Sequence, residues 1–104
     1  MVRIPTHRPP TSPGEMLVEE FLKPRNMTQV ELAKRIGVPF QRVNMIVKGH
    51  RGITPDTALR LGKLFNMTPD FWMNLQLAWD LYQAMHSKEV VQAVDNIEPL
   101  DACA

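Results

Sequence analysis

The stretch that decides the fold runs from residue 28 to residue 49 and reads TQVELAKRIGVPFQRVNMIVKG. Thr28 followed by Glu31 is a capping box that starts a helix, and Gly37 supplies the left-handed residue that ends it. A second helix begins near Pro39 and runs to about Lys48. Two short helices joined by one glycine predict a helix-turn-helix, in which the second helix enters the major groove of DNA.

The residues between these helix ends have the sizes that a packed helix pair requires. Ala33 is small at the position where the second helix crosses the first, and Gly37 tolerates the positive φ of the turn. Val43 and Ile46 are apolar anchors on the inner side of the second helix. Because such helix pairs also occur in proteins that bind no DNA, the motif predicts the fold first. DNA binding needs support from polarity and charge.

The outward side of the second helix carries hydrogen-bonding side chains. On a helical wheel at about 100° per residue, Val43, Ile46 and Val47 share the buried side. The opposite side offers amides, which pair bidentately with adenine, and cationic groups, which reach guanine or phosphate. Phe40 contacts either a thymine methyl group or the neighbouring core. The predicted base contacts are Phe40, Gln41, Arg42, Asn44 and Met45.

Positive charge is concentrated on this same stretch. Residues 25–51 carry six basic side chains and one acidic one, for a net charge of +5, whereas residues 1–24 sum to zero and residues 52–104 to −4. The formal net charge of +1 for the whole chain conceals this asymmetry. Neutralising phosphates requires such a local concentration of cations. We expect phosphate contacts at the start of the first helix and just beyond the second, from Thr28, Gln29, Lys48 and Arg51.

The pattern outside this stretch predicts an all-α protein with five helices. Polar caps followed by proline mark helix starts at Ser12, Thr54 and Thr68. Residues 88–94 either extend a helix or form a short strand. The chain divides into a proline-rich flexible arm at 1–11, a helix-turn-helix domain with a C-terminal dimerisation helix at 12–86, and a partly disordered tail at 87–104.

The fifth helix is apolar on two sides. One side holds Phe71, Trp72 and Leu75 and closes the core. The other side would be exposed in a monomer, and sizeable exposed apolar patches mark interaction sites. This second side predicts a homodimer interface, unless residues 90–97 fold back and cover it. The predicted interface residues are Met73, Leu77, Leu81, Ala84 and Met85.

Composition and residue spacing argue against an enzyme. The three histidines, His7, His50 and His86, share no metal-ligand spacing, and the single thiol, Cys103, lies beside the chain end. We therefore predict no catalytic residue, no metal and no cofactor. One cysteine fits a reducing cytoplasm, and the N-terminus lacks the apolar core of a signal peptide. We expect a cytoplasmic protein with no membrane partner.

Three further blocks carry a resemblance to a known family. The helix-turn-helix resembles the phage-repressor type, that is, the Cro/C1-like (XRE) family. The blocks PGEML at 13–17, GHRGITPDTALRL at 49–61 and TPDFWMNLQ at 68–76 together resemble HigA/VapI-type antitoxins of bacterial toxin–antitoxin modules. The resemblance covers about residues 12 to 82 and implies a phage-repressor-like fold.

The resemblance also implies a function and partners. It implies a dimeric DNA-binding repressor of its own operon, which binds double-stranded operator DNA with paired half-sites. It further implies that the chain neutralises a small RelE-like ribonuclease toxin. Two alternatives remain open: a stand-alone helix-turn-helix regulator without a toxin, and a protein-only interaction module.

Overall fold

The computed structural model describes residues 10–101, and six helices lie within this range. The predicted all-α fold is confirmed, with one helix more than the five expected. The first helix, α1, comprises Pro13–Met16 and continues without a break into a π-helical stretch, Leu17–Leu22, and a 3₁₀ turn, Lys23–Arg25. The other helices are α2 Gln29–Ile36, α3 Phe40–Val47, α4 Pro55–Phe65, α5 Asp70–Met85 and α6 Lys88–Asp95.

Side-chain caps start three of the helices where the sequence predicts them. Ser12, Thr28 and Thr54 each accept a hydrogen bond from a backbone N–H three residues later. The prediction that Thr68 caps α5 is wrong. That helix begins at Asp70, and Pro69 before it already has helical angles, φ −66 and ψ −18, with no side-chain cap. The proline ring fixes φ at a helical value, which starts the turn without a cap.

The π-helical stretch widens α1 in its middle. The N–H of Lys23 bonds to the carbonyl of Val18, five residues earlier. Leu17 and Leu22 are both buried, although they are five residues apart. The wide turn therefore directs both leucines into the core. The helix ends at Asn26, which has a positive φ of 52.

The core lies where α1, the α2–α3 pair and the α4–α5 pair meet. Its largest fully buried side chains are Trp72, Leu17, Leu32, Leu61 and Val43. Phe21 packs against three aromatic rings, including Trp72 at a centroid distance of 4.8 Å. Burial of a large apolar side chain contributes roughly 1.5–3 kcal/mol, so these buried side chains are a major source of the stability of the fold.

Gly14 brings α1 into direct contact with the C-terminal end of α3. A Cβ at this position would overlap the carbonyl oxygen of Ile46 and lie 3.0 Å from both the Cα and the carbonyl oxygen of Val47. Only glycine permits this approach of one helix to the backbone of another. Contact with α1 therefore fixes the position of the C-terminal end of α3.

The sixth helix, α6, settles what residues 88–94 form. Ser87 caps it by accepting from the N–H of Val90 at 3.4 Å, so the short-strand alternative is wrong. Every residue of α6 is exposed, and the side chains of Leu77 and Leu81 remain 48% and 41% exposed. The alternative in which this segment covers the second side of α5 is therefore also wrong. Residues 96–101 follow without a helix, and the predicted arm at 1–11 falls mostly outside the described residues.

Candidate nucleic-acid interface

The helix pair packs as the sequence predicts. On α2, Leu32, Ala33 and Ile36 are buried, and on α3, Val43 and Ile46 are buried against them. Gly37 adopts φ 71, and its N–H bonds back to the carbonyls of α2, which ends the helix before the turn. The packing leaves the opposite side of α3 free of core contacts.

The predicted base-contacting residues do not all have the same environment. Phe40, Gln41 and Met45 are exposed, so Phe40 does not pack into the core. Asn44 and Arg42 are half-buried, because each is held by a partner on another helix. The outward side of α3 therefore combines three free side chains with two that are already oriented.

Asn44 is coupled to Gln29 across the helix pair. Its Nδ2 donates a hydrogen bond of 3.0 Å to Oε1 of Gln29 at the first residue of α2. This bond leaves the Nε2 group of Gln29 free to donate and Oδ1 of Asn44 free to accept. The sequence assigned these two residues to separate tasks, phosphate and base, and spacing along a single helix gave no sign of the contact between them.

Arg42 takes part in an ion-pair network that sequence reasoning missed. Its Nη1 donates to Oδ2 of Asp56 at 2.9 Å, and Nε of Arg60 donates to Oδ1 of the same carboxylate at 3.0 Å. The hydrogen bonds from Arg60 and then from Arg42 lower the pKa of Asp56 below its usual value. The Asp56–Arg60 pair is visible in the sequence as an i,i+4 pair on α4, but its contact with Arg42 is not.

Arg60 also reaches the helix-turn-helix turn. Its Nη1 donates to the carbonyl oxygens of Ile36 at 2.7 Å and Gly37 at 3.3 Å. The last carbonyls of a helix have no partner within it, and a guanidinium is well suited to satisfy them. The network therefore connects the end of α2, the start of α4 and α3.

The predicted phosphate contacts lie at the two ends of the helix pair. Thr28 uses its hydroxyl to cap α2, and Gln29 lies beside it. Lys48 and Arg51 are exposed beyond α3, and neither joins an ion pair among residues 10–101. These two cations remain available for an anionic partner.

The charge block of +5 is less uniform than the sequence suggests. Arg25 stacks on the rings of Phe21 and Phe65, with its Cζ atom 5.5 and 5.1 Å from their centroids. Arg35 pairs with Glu31, and Arg42 pairs with Asp56. Within the described part of the chain, the basic side chains of the block that have no recorded ion pair or ring contact are Lys34, Lys48 and Arg51.

The loop that carries Arg51 is tied to α5. Gln76 accepts from the N–H of Ile53 at 2.7 Å and donates to Oδ1 of Asp80 at 2.9 Å. Trp79 lines the cleft between this loop and α5. The loop is thus anchored to the core on one side while Arg51 stays exposed.

The predicted dimer residues form an exposed row with two exceptions. Leu77, Leu81 and Met85 are exposed, Ala84 is half-buried, and Met73 packs partly against the core. Apolar residues are also exposed on α6, which the sequence analysis did not include in the interface: Val90, Val91 and Val94. Val91 lines a shallow cleft together with Met85 at the end of α5.

Residues 10–101 contain no cluster of three or more His, Cys, Asp or Glu side chains that could hold a metal ion. His86 contacts the carbonyl of Tyr82 through Nδ1 at 2.9 Å, whereas His7 and Cys103 lie outside the described residues. Across the same range, the helices are too short or too polar to cross a bilayer.

Comparison with known proteins agrees with this geometry. The family described as Helix-turn-helix (HTH_3) matches residues 18–72, which span α2, α3, α4 and the start of α5. Virulence-associated protein I of Dichelobacter nodosus is 44% identical over 96 residues, covering 92% of this chain and 86% of the relative. The chain belongs to the XRE-type helix-turn-helix family, in its HigA/VapI group.

Two further members of the HigA/VapI group are similar over most of their length. Antitoxin HigA-1 of Vibrio cholerae is 40% identical over 77 residues, covering 74% of this chain and 72% of the relative. The Pseudomonas aeruginosa antitoxin HigA, solved with the higBA promoter, superimposes with a TM-score of 0.81 and 40% identity, covering 88% of this chain and 99% of the other. These similarities confirm the predicted family and the DNA-binding fold.

Proposed function

We propose that the protein is a sequence-specific DNA-binding repressor and the antitoxin of a toxin–antitoxin module, which represses its own operon and neutralises a RelE-like ribonuclease toxin. The observation that carries DNA binding is the exposed side of α3, with Asn44 oriented by Gln29 at the N-terminus of α2. Similarity to a HigA antitoxin solved with its promoter supports the operator as ligand.

The arrangement suits a division of labour between bases and phosphates. Gln41, Asn44 and Arg42 offer polar groups to base edges, while Phe40 and Met45 offer apolar contact to a thymine methyl group. Gln29 donates to a phosphate at the start of α2, where the helix dipole favours an anion. Thr28, Lys48 and Arg51 add phosphate contacts on either side.

The reading unit is a homodimer in this proposal. A helix-turn-helix protein that binds paired half-sites needs two copies about 34–36 Å apart on the DNA. The exposed apolar residues of α5 and α6 are the surface that a second copy would cover. Isologous packing of one surface on itself is the usual arrangement in such dimers.

DNA recognition is tested by titrating the protein with the DNA upstream of its own gene and with unrelated DNA at several salt concentrations. We expect a preference for the upstream DNA and a steep loss of affinity with salt. Gln41→Ala should relax the sequence preference, whereas Lys48→Ala should weaken binding to all sequences, because the Lys48 side chain is exposed and forms no ion pair within residues 10–101. The absence of both preference and salt dependence would refute the repressor function and favour a protein-only module.

Dimerisation is tested by sedimentation of Leu77→Asp/Leu81→Asp, which should be monomeric where the wild type has twice the chain mass. Leu59→Asp is a matched control, because Leu59 is 61% exposed on α4, outside the row. A monomeric wild type would contradict the dimer. A double variant that stays dimeric would contradict the assignment of Leu77 and Leu81 to the interface.

The toxin partner is tested separately. A small reading frame for a basic protein should lie beside this gene, and its product should co-purify with the chain and lose ribonuclease activity on binding. If no such neighbour exists but operator binding does, the protein is a stand-alone regulator.

A further inference from the structure

Asp56 contacts α3 through Arg42, at the edge of the outward side of α3 that is proposed to contact DNA. This outward side, formed by Phe40, Gln41, Arg42, Asn44 and Met45, is the reading surface. Both carboxylate oxygens are engaged, Oδ2 by Arg42 and Oδ1 by Arg60. Arg60 is itself fixed by two carbonyls at the end of α2. Asp56 therefore connects Arg42, through Arg60, to the end of α2. It is exposed at the first turn of α4, where the helix dipole favours a negative charge.

The contact restricts the Arg42 side chain but leaves most of its hydrogen-bond donors free. A guanidinium carries five N–H donors, and the recorded hydrogen bond to Asp56 uses one of them. The side chain of Arg42 is only 24% exposed, which is low for an arginine beside an open surface. The other donors of Arg42 stay free while Nη1 is held by Asp56. A guanidinium restrained in this way is oriented in advance for bidentate pairing with a base.

An unanchored arginine at this position would behave differently. A long, mobile cation pairs with any nearby phosphate. Phosphate contacts strengthen binding to every DNA sequence alike. Specificity is a difference between two affinities, so a group that weakens binding to the wrong DNA increases it.

We propose that Asp56 is a specificity-determining residue: it anchors Arg42 in one position for base contact and withholds the charge of Arg42 from phosphates on unrelated DNA. This inference rests on the proposed DNA-binding function. Asp56 acts through Arg42 and is a positioning residue, while Arg60 fixes Asp56 to the end of α2.

The test compares wild type with Asp56→Asn on operator and on unrelated DNA across a salt series. We expect binding to unrelated DNA to strengthen, and the slope of log affinity against log salt on that DNA to steepen by about one, equivalent to one extra phosphate contact. The operator-to-unrelated ratio should fall at least about fivefold, the lower range for loss of a bidentate base contact. Asp70→Asn makes the same charge change at the start of α5 and should leave ratio and slope unchanged.

A second arm assigns the effect to Arg42. Arg42→Ala and Arg42→Ala/Asp56→Asn should show the same ratio and the same slope, because Asp56 has nothing to position once Arg42 is gone. Asp56→Glu should recover part of the ratio. A double variant that still differs from Arg42→Ala would overturn the proposal.

The remaining outcomes separate this inference from the proposed function. If wild type prefers its operator but Asp56→Asn keeps the same ratio and slope, the inference is wrong and the repressor function stands. If wild type shows no preference, the function itself fails. Equal weakening on both DNAs, or loss of folding in both Asp56 variants, would make the contact merely structural and would also overturn the proposal.

Discussion

Replacing Gly14 with alanine tests whether the contact between α1 and α3 sets the position of α3. The new methyl group would overlap the carbonyl oxygen of Ile46 and lie 3.0 Å from two backbone atoms of Val47, where ordinary contact begins at 3.4 Å. Both neighbours are backbone and cannot rotate away. The C-terminal end of α3 must therefore move by at least about 0.4 Å from Val47, and by more from Ile46.

The energetic cost follows from two opposing effects. Overpacking by one methyl group against fixed backbone costs about 1–3 kcal/mol. The higher helix propensity of alanine returns at most about 1 kcal/mol, and less in the first turn of a helix. We expect a net loss of about 1–2 kcal/mol, with a fall in melting temperature of about 4–8 °C for each kcal/mol.

Thermal melting and operator titration measure the two consequences. Glu20→Ala is the control, since Glu20 is exposed in the π-helical stretch that continues α1, forms no ion pair within residues 10–101, and should leave the melting temperature nearly unchanged. At temperatures where both proteins are folded, Gly14→Ala should bind operator at least about tenfold more weakly, because displaced reading groups lose base contacts. A variant with unchanged stability and affinity would show that the α1–α3 contact is loose.

Three other substitutions probe cap, core and charge. Thr28→Ala removes the cap of α2 and should lower the free energy of unfolding, measured in urea, by about 1 kcal/mol. An unchanged free energy of unfolding would show that the cap is dispensable. Leu61→Ala should cost about 2–5 kcal/mol because Leu61 is buried in the core, and a smaller cost would indicate a core that collapses around the gap. Arg60 and Arg42 lower the pKa of Asp56 below 3.8, so its ion pairs stabilise the fold above that pH and are lost as the pH falls through the lowered value. The difference in unfolding free energy between wild type and Asp56→Asn should therefore shrink below pH 3.8, and a constant difference would contradict this.

Local chemistry made most of the fold predictable. The caps at Ser12, Thr28 and Thr54 and the turn at Gly37 each depend on residues within a few positions of one another. Helical periodicity identified the buried anchors of the α2–α3 pair for the same reason. The sequence left residues 88–94 open between a helical extension and a strand, because a short run containing the β-branched Val90, Val91 and Val94 fits either pattern.

The candidate site was less predictable because its key contacts join distant parts of the chain. Asn44 and Gln29 are 15 residues apart, Arg42 and Asp56 are 14, and Arg60 reaches Ile36 across 24. A helical wheel predicts which side a residue faces, but not which side chain of another helix meets it.

The two tryptophans differ in burial, because Trp72 is fully buried and Trp79 is half-buried. Trp72 is fully buried among phenylalanine rings, and its indole N–H has no recorded hydrogen-bond partner. Trp79 lines the cleft beside the loop that carries Arg51. The protein therefore contains two intrinsic fluorophores with separate roles: Trp72 emission should shift to the red only when the core opens, whereas Trp79 emission should respond when the loop engages a ligand. In Trp79→Phe the unfolding signal should persist and the ligand signal should disappear, so that stability and binding can be followed in one cuvette without a dye.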